Sequence, residues 1–301
     1  MRHLLAFTII LALSARSFAQ TPQPQQGGPQ GPRVPVTVPD TVTLEANIPY
    51  DQYADTVLDV MYPKALSKEK RPGVVVFHGG GWVHSDKEST MNGLCLPYLE
   101  HGFVVCNIEY RQGNNWGRSP ANAPAAVVDC LNATKWFVDH ADKYNFDTNR
   151  LVSTGASAGG HLCLMVGMVT PEAKLGPVVK VAAIVNCYGP TDLNELIAHK
   201  SGTAAQWIPE QPGREELAKR LSPMTYVRKD LPPILIMQGE KDTSVPVTQN
   251  VNLNWALKMA GADSNMVLIP GAGHGPSAQY AWPDWNRQIF DFLRNKGIIK
   301  S

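Results

Sequence analysis

The sequence predicts an α/β fold in which helices cover both faces of a mostly parallel central sheet. Short, uninterrupted apolar runs rich in valine and isoleucine recur along the chain, and longer helical patterns separate them. Strands that are apolar on both sides must be buried on both faces, which is the arrangement of parallel sheets with crossover helices. With 44% hydrophobic and 18% charged residues over 301 positions, the chain can fill one large core.

The predicted elements follow in a regular order. Two strand patterns at residues 41–48 and 56–62, joined by a short turn, are expected to enter the sheet as an antiparallel pair. Six further runs indicate buried strands at residues 74–77, 103–108, 151–154, 181–187, 234–237 and 266–269. Helical patterns lie at residues 121–140, 158–169, 248–260 and 280–295. Residues 191–229 are polar and too long for a simple connection, so they are predicted to form a small cap.

The first 40 residues predict a leader. Arg2 precedes an apolar stretch of about ten residues, and Ser17-Phe18-Ala19 has the small-x-small pattern of a cleavage site. We therefore interpret residues 1–19 as a signal peptide cleaved between Ala19 and Gln20, and expect a secreted or periplasmic protein. The apolar stretch is half of the roughly 20 residues that span a bilayer, so no membrane anchor is expected after cleavage. Residues 20–40, rich in Pro, Gln and Gly, predict an extended tether. The globular domain is expected over residues 41–301.

Charge and cysteine usage exclude some classes of function. Lys and Arg total 27 against 26 Asp and Glu, a formal charge of +1, which argues against nucleic-acid binding. The five cysteines lack the Cys-x-x-Cys pairing of zinc sites, and no group of His, Cys, Asp and Glu has metal-ligand spacing. An exported protein can form disulfides. An odd number of cysteines, with Cys106 and Cys187 inside buried strand patterns, nevertheless favours buried thiols, and spacing alone leaves the pairing open.

The strongest chemical pattern is Gly155-Ala156-Ser157-Ala158-Gly159, which stands between a predicted strand and a predicted helix. In a G-x-S-x-G elbow the serine occupies a strained turn, and small flanking residues let the main chain close around it. Ser157 is therefore predicted to be a nucleophile. A structural glycine-rich turn is the alternative interpretation.

A second pattern, His78-Gly79-Gly80-Gly81-Trp82, follows another predicted strand. Attack on an ester carbonyl places negative charge on its oxygen, which preorganised backbone N–H groups can stabilise. We assign this oxyanion hole to the N–H groups of Gly80, Gly81 and Ala158. A phosphate-binding loop is the alternative, but the glycine patterns of P-loops and dinucleotide sites do not follow.

A serine nucleophile needs a base, and the base needs a carboxylate that orients it. Asp242 and His274 each follow the end of a predicted strand, in the Ser, Asp, His order of α/β-hydrolases. We predict that Ser157, His274 and Asp242 form a catalytic triad.

Four other residues are candidates for these roles. His161 and His78 are alternative bases, although His161 is expected to pack behind the elbow and His78 to brace the glycine loop. Asp192 and Glu240 are alternative acids, since both follow strand ends. Asp242 is preferred because a short turn can place it beneath the loop that carries His274.

With these residues in place, the chain resembles the α/β-hydrolase esterases, particularly the branch described as bifunctional feruloyl and acetyl-xylan esterase-like, close to the hormone-sensitive lipase-like carboxylesterases. The similarity covers about residues 50–296. It is carried by residues 58–63, 78–82, 110–111, 155–161, 188–192, 221–223, 239–246 and 270–275. The resemblance implies ester hydrolysis through an acyl-enzyme, with no cofactor. Gln112 departs from the pattern, because relatives usually carry an apolar residue there, and a polar insertion at residues 113–118 follows it.

Substrate choice rests on weaker patterns. Trp82 and Trp116 on loops, with Trp207 in the cap, are predicted to form an aromatic platform for a sugar or a feruloyl ring, with ordinary burial as the alternative. Secretion and the resemblance favour acetyl or feruloyl esters of plant polysaccharide, or small acyl esters. A peptidase or an amide hydrolase of the arylformamidase kind is an alternative. An inactive binding module is another, although the complete triad argues against it. The sequence leaves the oligomeric state unknown.

Overall fold

The computed structural model describes residues 37–65, 67–198, 202–276 and 282–300. The predicted signal peptide and residues 20–36 of the predicted tether lie outside these ranges. The strands are β1 (Val42–Pro49), β2 (Val57–Pro63), β3 (Arg71–Phe77), β4 (Val104–Ile108), β5 (Phe146–Ala156), β6 (Ala183–Cys187), β7 (Ile234–Gly239) and β8 (Ser264–Ile269). The helices are α1 (Leu96–Glu100), α2 (Ala125–Asp139), α3 (Ala141–Tyr144), α4 (Ala158–Met168), α5 (Leu193–Ala198), α6 (Thr203–Trp207), α7 (Arg214–Arg220), α8 (Val247–Met259) and α9 (Trp282–Asn295).

The strands form one sheet in the order β1-β2-β4-β3-β5-β6-β7-β8. β2 is antiparallel to β1 and to β4, and all other neighbours are parallel. The predicted α/β-hydrolase architecture, with its antiparallel entry into a mostly parallel sheet, is confirmed. Because parallel strands end at the same edge, the loops after β3, β5, β7 and β8 lie on one side of the sheet, where such folds bind ligands.

Helices cover both faces of the sheet, and β3 shows why its sequence is uninterruptedly apolar. Val75 and Phe77 belong to the core beneath α2, α4 and α8, whereas Val74 and Val76 belong to the core beneath α1 and α9. All four side chains are fully buried. Among the described residues, no helix combines the length and apolarity needed to cross a bilayer.

Outside the cap, three helical segments differ from the prediction, one of them being the short helix α3, which was not predicted. α2 begins at Ala125, four residues later than predicted, because Pro124 disfavours helical geometry in the residue before it. An unpredicted helical segment follows the glycine loop: a 3₁₀ turn at Lys87–Thr90, a π-helical turn at Met91–Cys95, and α1. Asp86 begins it as an N-cap by accepting a hydrogen bond from the Ser89 N–H. This local capping pattern carries no helical periodicity, which explains why it was missed.

The predicted cap over residues 191–229 contains α5, α6 and α7 in its described part. Trp207 and Leu221 of this segment are fully buried and belong to the core that α4 contributes to. The cap is therefore packed as a continuation of the core.

The five cysteines are buried and unpaired, which confirms the preference for buried thiols. Burial raises the pKa of Cys95 and of Cys187 to about 12. A thiol in such surroundings stays protonated and behaves as a small apolar side chain.

Leu162 on α4 tests how tightly this helix is packed, since its side chain is fully buried. We expect Leu162→Ala to lower the free energy of unfolding by about 2–5 kcal/mol through lost contacts and a cavity. Urea denaturation followed by circular dichroism measures this. Met259→Ala is the control, because Met259 is 69% exposed, and a change within about 0.5 kcal/mol is expected. Equal effects of the two substitutions would contradict the packing of α4.

Candidate active site

Ser157 lies in a sharp turn between β5 and α4. Its backbone has φ 57° and ψ −124°, a costly conformation for a residue with a side chain. The turn lies directly against the end of β3, since a Cβ on Gly159 would be 2.0 Å from the Phe77 carbonyl oxygen. A Cβ on Gly155 would be 2.4 Å from the Gly159 carbonyl oxygen. Glycine is therefore required at both positions of the G-x-S-x-G pattern.

The structure brings the three predicted triad residues together. Ser157 Oγ is 2.8 Å from His274 Nε2, and His274 Nδ1 is 2.8 Å from Asp242 Oδ2. The Asp242 carboxylate is fully buried, whereas 27% of the His274 side chain is exposed. The imidazole is thus accessible on the side of the serine and held by a buried carboxylate on the other.

The surroundings of Asp242 keep it ionised. Burial would raise its pKa, but hydrogen bonds from His274 and from the N–H groups of Val245 and Ser244 outweigh burial and lower the pKa below its ordinary 3.8. Both N–H groups lie 2.9 Å from Asp242 Oδ1. This leaves Oδ2 directed at the imidazole, which it can orient and stabilise when the ring becomes charged.

The alternative acids and bases form hydrogen bonds outside the triad. Asp192 accepts a hydrogen bond from the Asn194 N–H at the start of α5, and Glu240 accepts one from the Gly271 N–H. His161 uses both ring nitrogens in contacts behind the elbow. His78 Nδ1 lies 2.8 Å from the Gly79 carbonyl oxygen, so this residue braces the glycine loop, as the sequence indicates.

A chain of buried amides supports Asp242, and no sequence motif predicted it. Gln238 Nε2 donates to Asp242 Oδ2 at 3.0 Å, and Gln238 Oε1 accepts from Asn250 Nδ2 at 2.7 Å. Asn186 Nδ2 in turn donates to Asn250 Oδ1 at 2.8 Å. All three amides are fully buried. The available signal was a glutamine directly after the apolar run of β7.

Hydrogen bonds to the glycine loop determine where its N–H groups point. The Gly79 carbonyl accepts from His78 Nδ1, and the Gly80 carbonyl accepts from the N–H groups of Val83 and His84 at 3.1 Å. In a trans peptide the C=O and the following N–H point in opposite directions. The Gly80 and Gly81 N–H groups therefore face away from these partners. Within the described residues, neither N–H has a hydrogen-bond acceptor.

The loop, the elbow and the cap enclose a cavity of about 800 Å³. Gly80, Gly81 and Ala158 line it beside Ser157 and His274. Ala158 is the first residue of α4, where N–H groups have no acceptor within the helix. The predicted oxyanion donors thus meet the nucleophile at one cavity wall. In the described part of the chain, this wall contains no Lys, Arg, Asp or Glu.

The three predicted platform tryptophans do not share this wall. Trp82 lines the cavity but is 98% buried, because its ring stacks on Trp207 with centroids 4.8 Å apart. Trp207 is fully buried and lies behind the cavity surface. Trp116 donates its indole N–H to the Ser85 carbonyl and lies outside the cavity lining. The second tryptophan that lines the cavity is Trp282, at the start of α9. It lies in no sequence motif, so no pattern predicted its role.

His161 connects the elbow helix to the oxyanion loop and the cap. Its Nδ1 accepts from the Trp82 indole N–H at 3.1 Å, and its Nε2 donates to the Leu221 carbonyl oxygen at 2.7 Å. These partners fix a neutral ring protonated on Nε2. Burial lowers the pKa of His161 to about 4, although the Leu221 carbonyl opposes this change.

The low pKa of His161 predicts a loss of stability in acid. An unfolded histidine titrates near 6.5, so the unfolded chain binds more protons between about pH 6.5 and pH 4, and stability falls as pH decreases through this window. We expect wild type to lose about 3 kcal/mol more unfolding free energy than His161→Gln between pH 7.5 and pH 4. Urea titrations of both proteins measure the difference. Parallel pH dependences would contradict the buried neutral state of His161.

Comparisons with known proteins agree on the fold and the family. A model of the family described as BD-FAE matches residues 58–257, which is more than half of the chain. Esterase LipQ of Mycobacterium tuberculosis is 28% identical over 247 residues, covering 76% of this chain and 56% of that protein. Esterase LipC of the same organism is 25% identical over 234 residues, covering 73% and 56%. The chain thus spans about half the length of these curated relatives.

Among solved structures, a truncated form of carbohydrate esterase from gut microbiota is similar over nearly its whole length. The TM-score is 0.74 at 28% identity, and the match covers 87% of this chain and 99% of that one.

Proposed function

Because the chain belongs to the BD-FAE family, we propose that it hydrolyses carboxylic esters through Ser157, His274 and Asp242. The observation that carries this proposal is the continuous hydrogen-bonded series from Asp242 to His274 to Ser157 at a cavity that the Gly80 and Gly81 N–H groups face. The names of the curated relatives and of the similar solved structure support an esterase.

In the acylation step, Ser157 Oγ attacks the ester carbonyl and its proton passes to His274 Nε2, which lies 2.8 Å away. Asp242 stabilises the resulting imidazolium through Nδ1. Negative charge develops on the former carbonyl oxygen, where the N–H groups of Gly80, Gly81 and Ala158 can bind it. His274 then donates the proton to the departing alcohol, and an acyl-serine remains.

In the deacylation step, His274 accepts a proton from water, and the hydroxide oxygen attacks the acyl carbonyl. The same N–H groups bind the second oxyanion. Collapse of this intermediate releases the carboxylic acid and returns the proton to Ser157.

We propose uncharged acyl esters as the substrates, with acetyl or feruloyl esters of plant polysaccharide as the natural class. The cavity wall supports the first part, because its described residues include apolar side chains such as Leu94, Leu196 and Val245 and no Lys, Arg, Asp or Glu to bind a charged substrate. The predicted signal peptide and the likeness to a carbohydrate esterase support the second part. Action outside the cell or in the periplasm is part of this proposal.

Ser157→Ala tests the nucleophile. We expect hydrolysis of p-nitrophenyl acetate to fall by at least about 10⁴-fold, since the acyl-enzyme can no longer form. Wild type should react with a fluorophosphonate probe, and the variant should not. Ser153→Ala is the matched control, because Ser153 lies on the same strand but donates to the Cys163 carbonyl, away from the cavity. The control should keep activity within about threefold. Persistent hydrolysis by Ser157→Ala would exclude the proposed mechanism.

A substrate panel separates the proposed activity from amide hydrolysis. The panel comprises p-nitrophenyl esters, acetylated xylan, methyl ferulate, N-formylkynurenine and peptide anilides. We expect kcat/KM for neutral esters to exceed that for peptide anilides by at least about 100-fold, since the described cavity wall has no Lys, Arg, Asp or Glu to bind a peptide terminus. Release of acetate from xylan would support the polysaccharide class. Faster cleavage of anilides or of N-formylkynurenine would favour the amide-hydrolase alternative.

A further inference from the structure

Ser85 lies beside the oxyanion loop in a backbone conformation that is costly for a residue with a side chain. Its φ is 87°, in the left-handed region that glycine adopts freely. The side chain lies against the loop, since a Cβ on Gly80 would be 2.7 Å from the Ser85 Cβ. Ser85 also lines the cavity. Because glycine would form the same turn without strain, the turn alone does not account for a serine here.

Two side chains hold Ser85 in this conformation. Gln112 Nε2 donates to the Ser85 carbonyl oxygen at 3.0 Å, and the Trp116 indole N–H donates to the same oxygen at 3.1 Å. Both donors lie in residues 112–118, where the sequence departs from the family pattern. Gln112 Oε1 is buried and has no hydrogen-bond partner among the described residues, which lowers stability. Strained backbone that costly contacts maintain is typical of functional positions.

The Ser85 hydroxyl is directed by a second serine. Ser85 Oγ donates to Ser89 Oγ at 3.2 Å, and Ser89 Oγ donates in turn to the Asp86 carbonyl oxygen at 2.6 Å. Ser89 also lines the cavity, whereas Asp86 caps the turn that follows and lies outside the lining. Since the Ser85 proton is used within this pair, the lone pairs of Ser85 Oγ are available to accept a hydrogen bond from a ligand.

His84 adds a neutral imidazole to the same part of the lining. Its ring meets the Trp116 ring edge-on, with centroids 6.4 Å apart. Partial burial lowers the pKa of His84 below its ordinary 6.5, so the ring is uncharged at neutral pH. A neutral imidazole donates from one nitrogen and accepts at the other. His84, Ser85 and Ser89 thus form a polar wall that offers hydrogen bonds without charge.

Neighbouring hydroxyl groups of a sugar ring match this polar wall, because each hydroxyl both donates and accepts. An acetyl group has no hydroxyl, so the wall suits the alcohol part of an acetate better than its acyl part. The ester carbonyl must lie at the Gly80 N–H during the reaction, and Ser85 packs against Gly80. A hydroxyl next to the acylated one is therefore the part of the substrate that comes closest to Ser85.

We propose that the polar wall is a subsite for the sugar that carries the ester, in which Ser85 Oγ accepts a hydrogen bond from a free hydroxyl beside the acylated one. Gln112 and Trp116 are positioning residues, since they act through the Ser85 carbonyl. The proposal rests on the proposed ester hydrolysis and adds a determinant of its selectivity for the alcohol.

Two kinds of acetate test the subsite. Methyl β-xylopyranoside acetylated at O2 or at O3 and cyclohexyl acetate share the acyl group and a six-membered ring, but only the sugar has free hydroxyls. Initial rates of acetate release give kcat/KM for each. We expect wild type to prefer the better sugar isomer by at least about fivefold, since one neutral hydrogen bond contributes about two- to tenfold. A wild type without this preference would overturn the proposal.

Ser85→Gly removes the hydroxyl and relieves the backbone strain, so the variant should fold. We expect the ratio of kcat/KM between the sugar acetate and cyclohexyl acetate to fall about three- to fivefold, mainly through KM for the sugar. Ser85→Ala, which keeps the Cβ, should give the same change. Thr243→Val is the matched control, because Thr243 also lines the cavity but lies outside the polar wall, and its ratio should stay within about 1.5-fold. An unchanged ratio in both Ser85 variants would overturn the proposal.

A double variant tests the positioning residues. Gln112→Met combined with Trp116→Phe removes both donors to the Ser85 carbonyl while keeping side chains of similar size. We expect the ratio to fall about threefold. Gln112 Nε2 also donates to Glu109 at 3.2 Å, so the double variant is repeated in the Ser85→Gly background, where it should change the ratio by less than about 1.5-fold. A threefold loss in that background would overturn the positioning role.

The outcomes separate this proposal from the proposed function. Wild type that hydrolyses both acetates without preference retains ester hydrolysis and refutes only the sugar subsite. Wild type that hydrolyses neither these acetates nor p-nitrophenyl acetate refutes the proposed function. Methyl β-xylopyranoside, which has no ester, gives a readout that needs no sugar ester: it should inhibit wild type competitively, with an inhibition constant about threefold higher for Ser85→Gly. Equal inhibition of the two proteins would overturn the subsite.

Discussion

The site depends on how closely the main chain approaches itself between the end of β3 and the first turn of α4. At Gly159 the two segments leave no room for a Cβ beside the Phe77 carbonyl oxygen. This contact brings the loop that follows β3 and the elbow that follows β5 to one cavity wall. Nucleophile and oxyanion donors thus come from neighbouring parallel strands, and their relative position is set by backbone packing, which side-chain motion alters little. The strained geometry of Ser157 is sustained by the same contact.

The remaining two triad residues are held by a buried polar network in addition to a close main-chain contact. Asp242 and His274 lie on loops after β7 and β8, and these loops meet where a Cβ on Gly239 would be 2.1 Å from the Gly273 carbonyl oxygen. The series Asn186, Asn250 and Gln238 crosses from β6 through α8 to the carboxylate. Because each amide is buried and hydrogen-bonded, displacing one would leave others unsatisfied. The network therefore fixes the orientation of the Asp242 carboxylate.

The sequence was sufficient for features that local pattern determines. The elbow around Ser157 and the glycine loop are each encoded within a few consecutive residues. The strands could be predicted as apolar runs because they are buried on both faces. Features that depend on distant partners were not predicted. Glu109 contacts His78 from 31 positions away, and Gln238 meets Asn250 only after α8 has folded back. The prediction of an aromatic platform was wrong for the same reason, since Trp207 packs in the core against Trp82 and His161. Gln112, the departure from the family pattern, has a role that becomes visible only beside Glu109 and Ser85.

The contacts of His161 have a consequence for how this scaffold can change. The imidazole joins Trp82, next to the oxyanion loop, to Leu221 in the cap, and Trp207 of the cap stacks on the same indole. A cap that contacted only the substrate could be exchanged without altering the groups that carry out the chemistry. In this protein the cap and the oxyanion loop pack against the same side chains. Replacing the cap would therefore also change the geometry of the N–H groups that bind the oxyanion. Divergence of substrate range in this lineage should therefore proceed by substitutions at the cavity surface, such as Leu196 and Thr203, with the inner face of the cap kept intact.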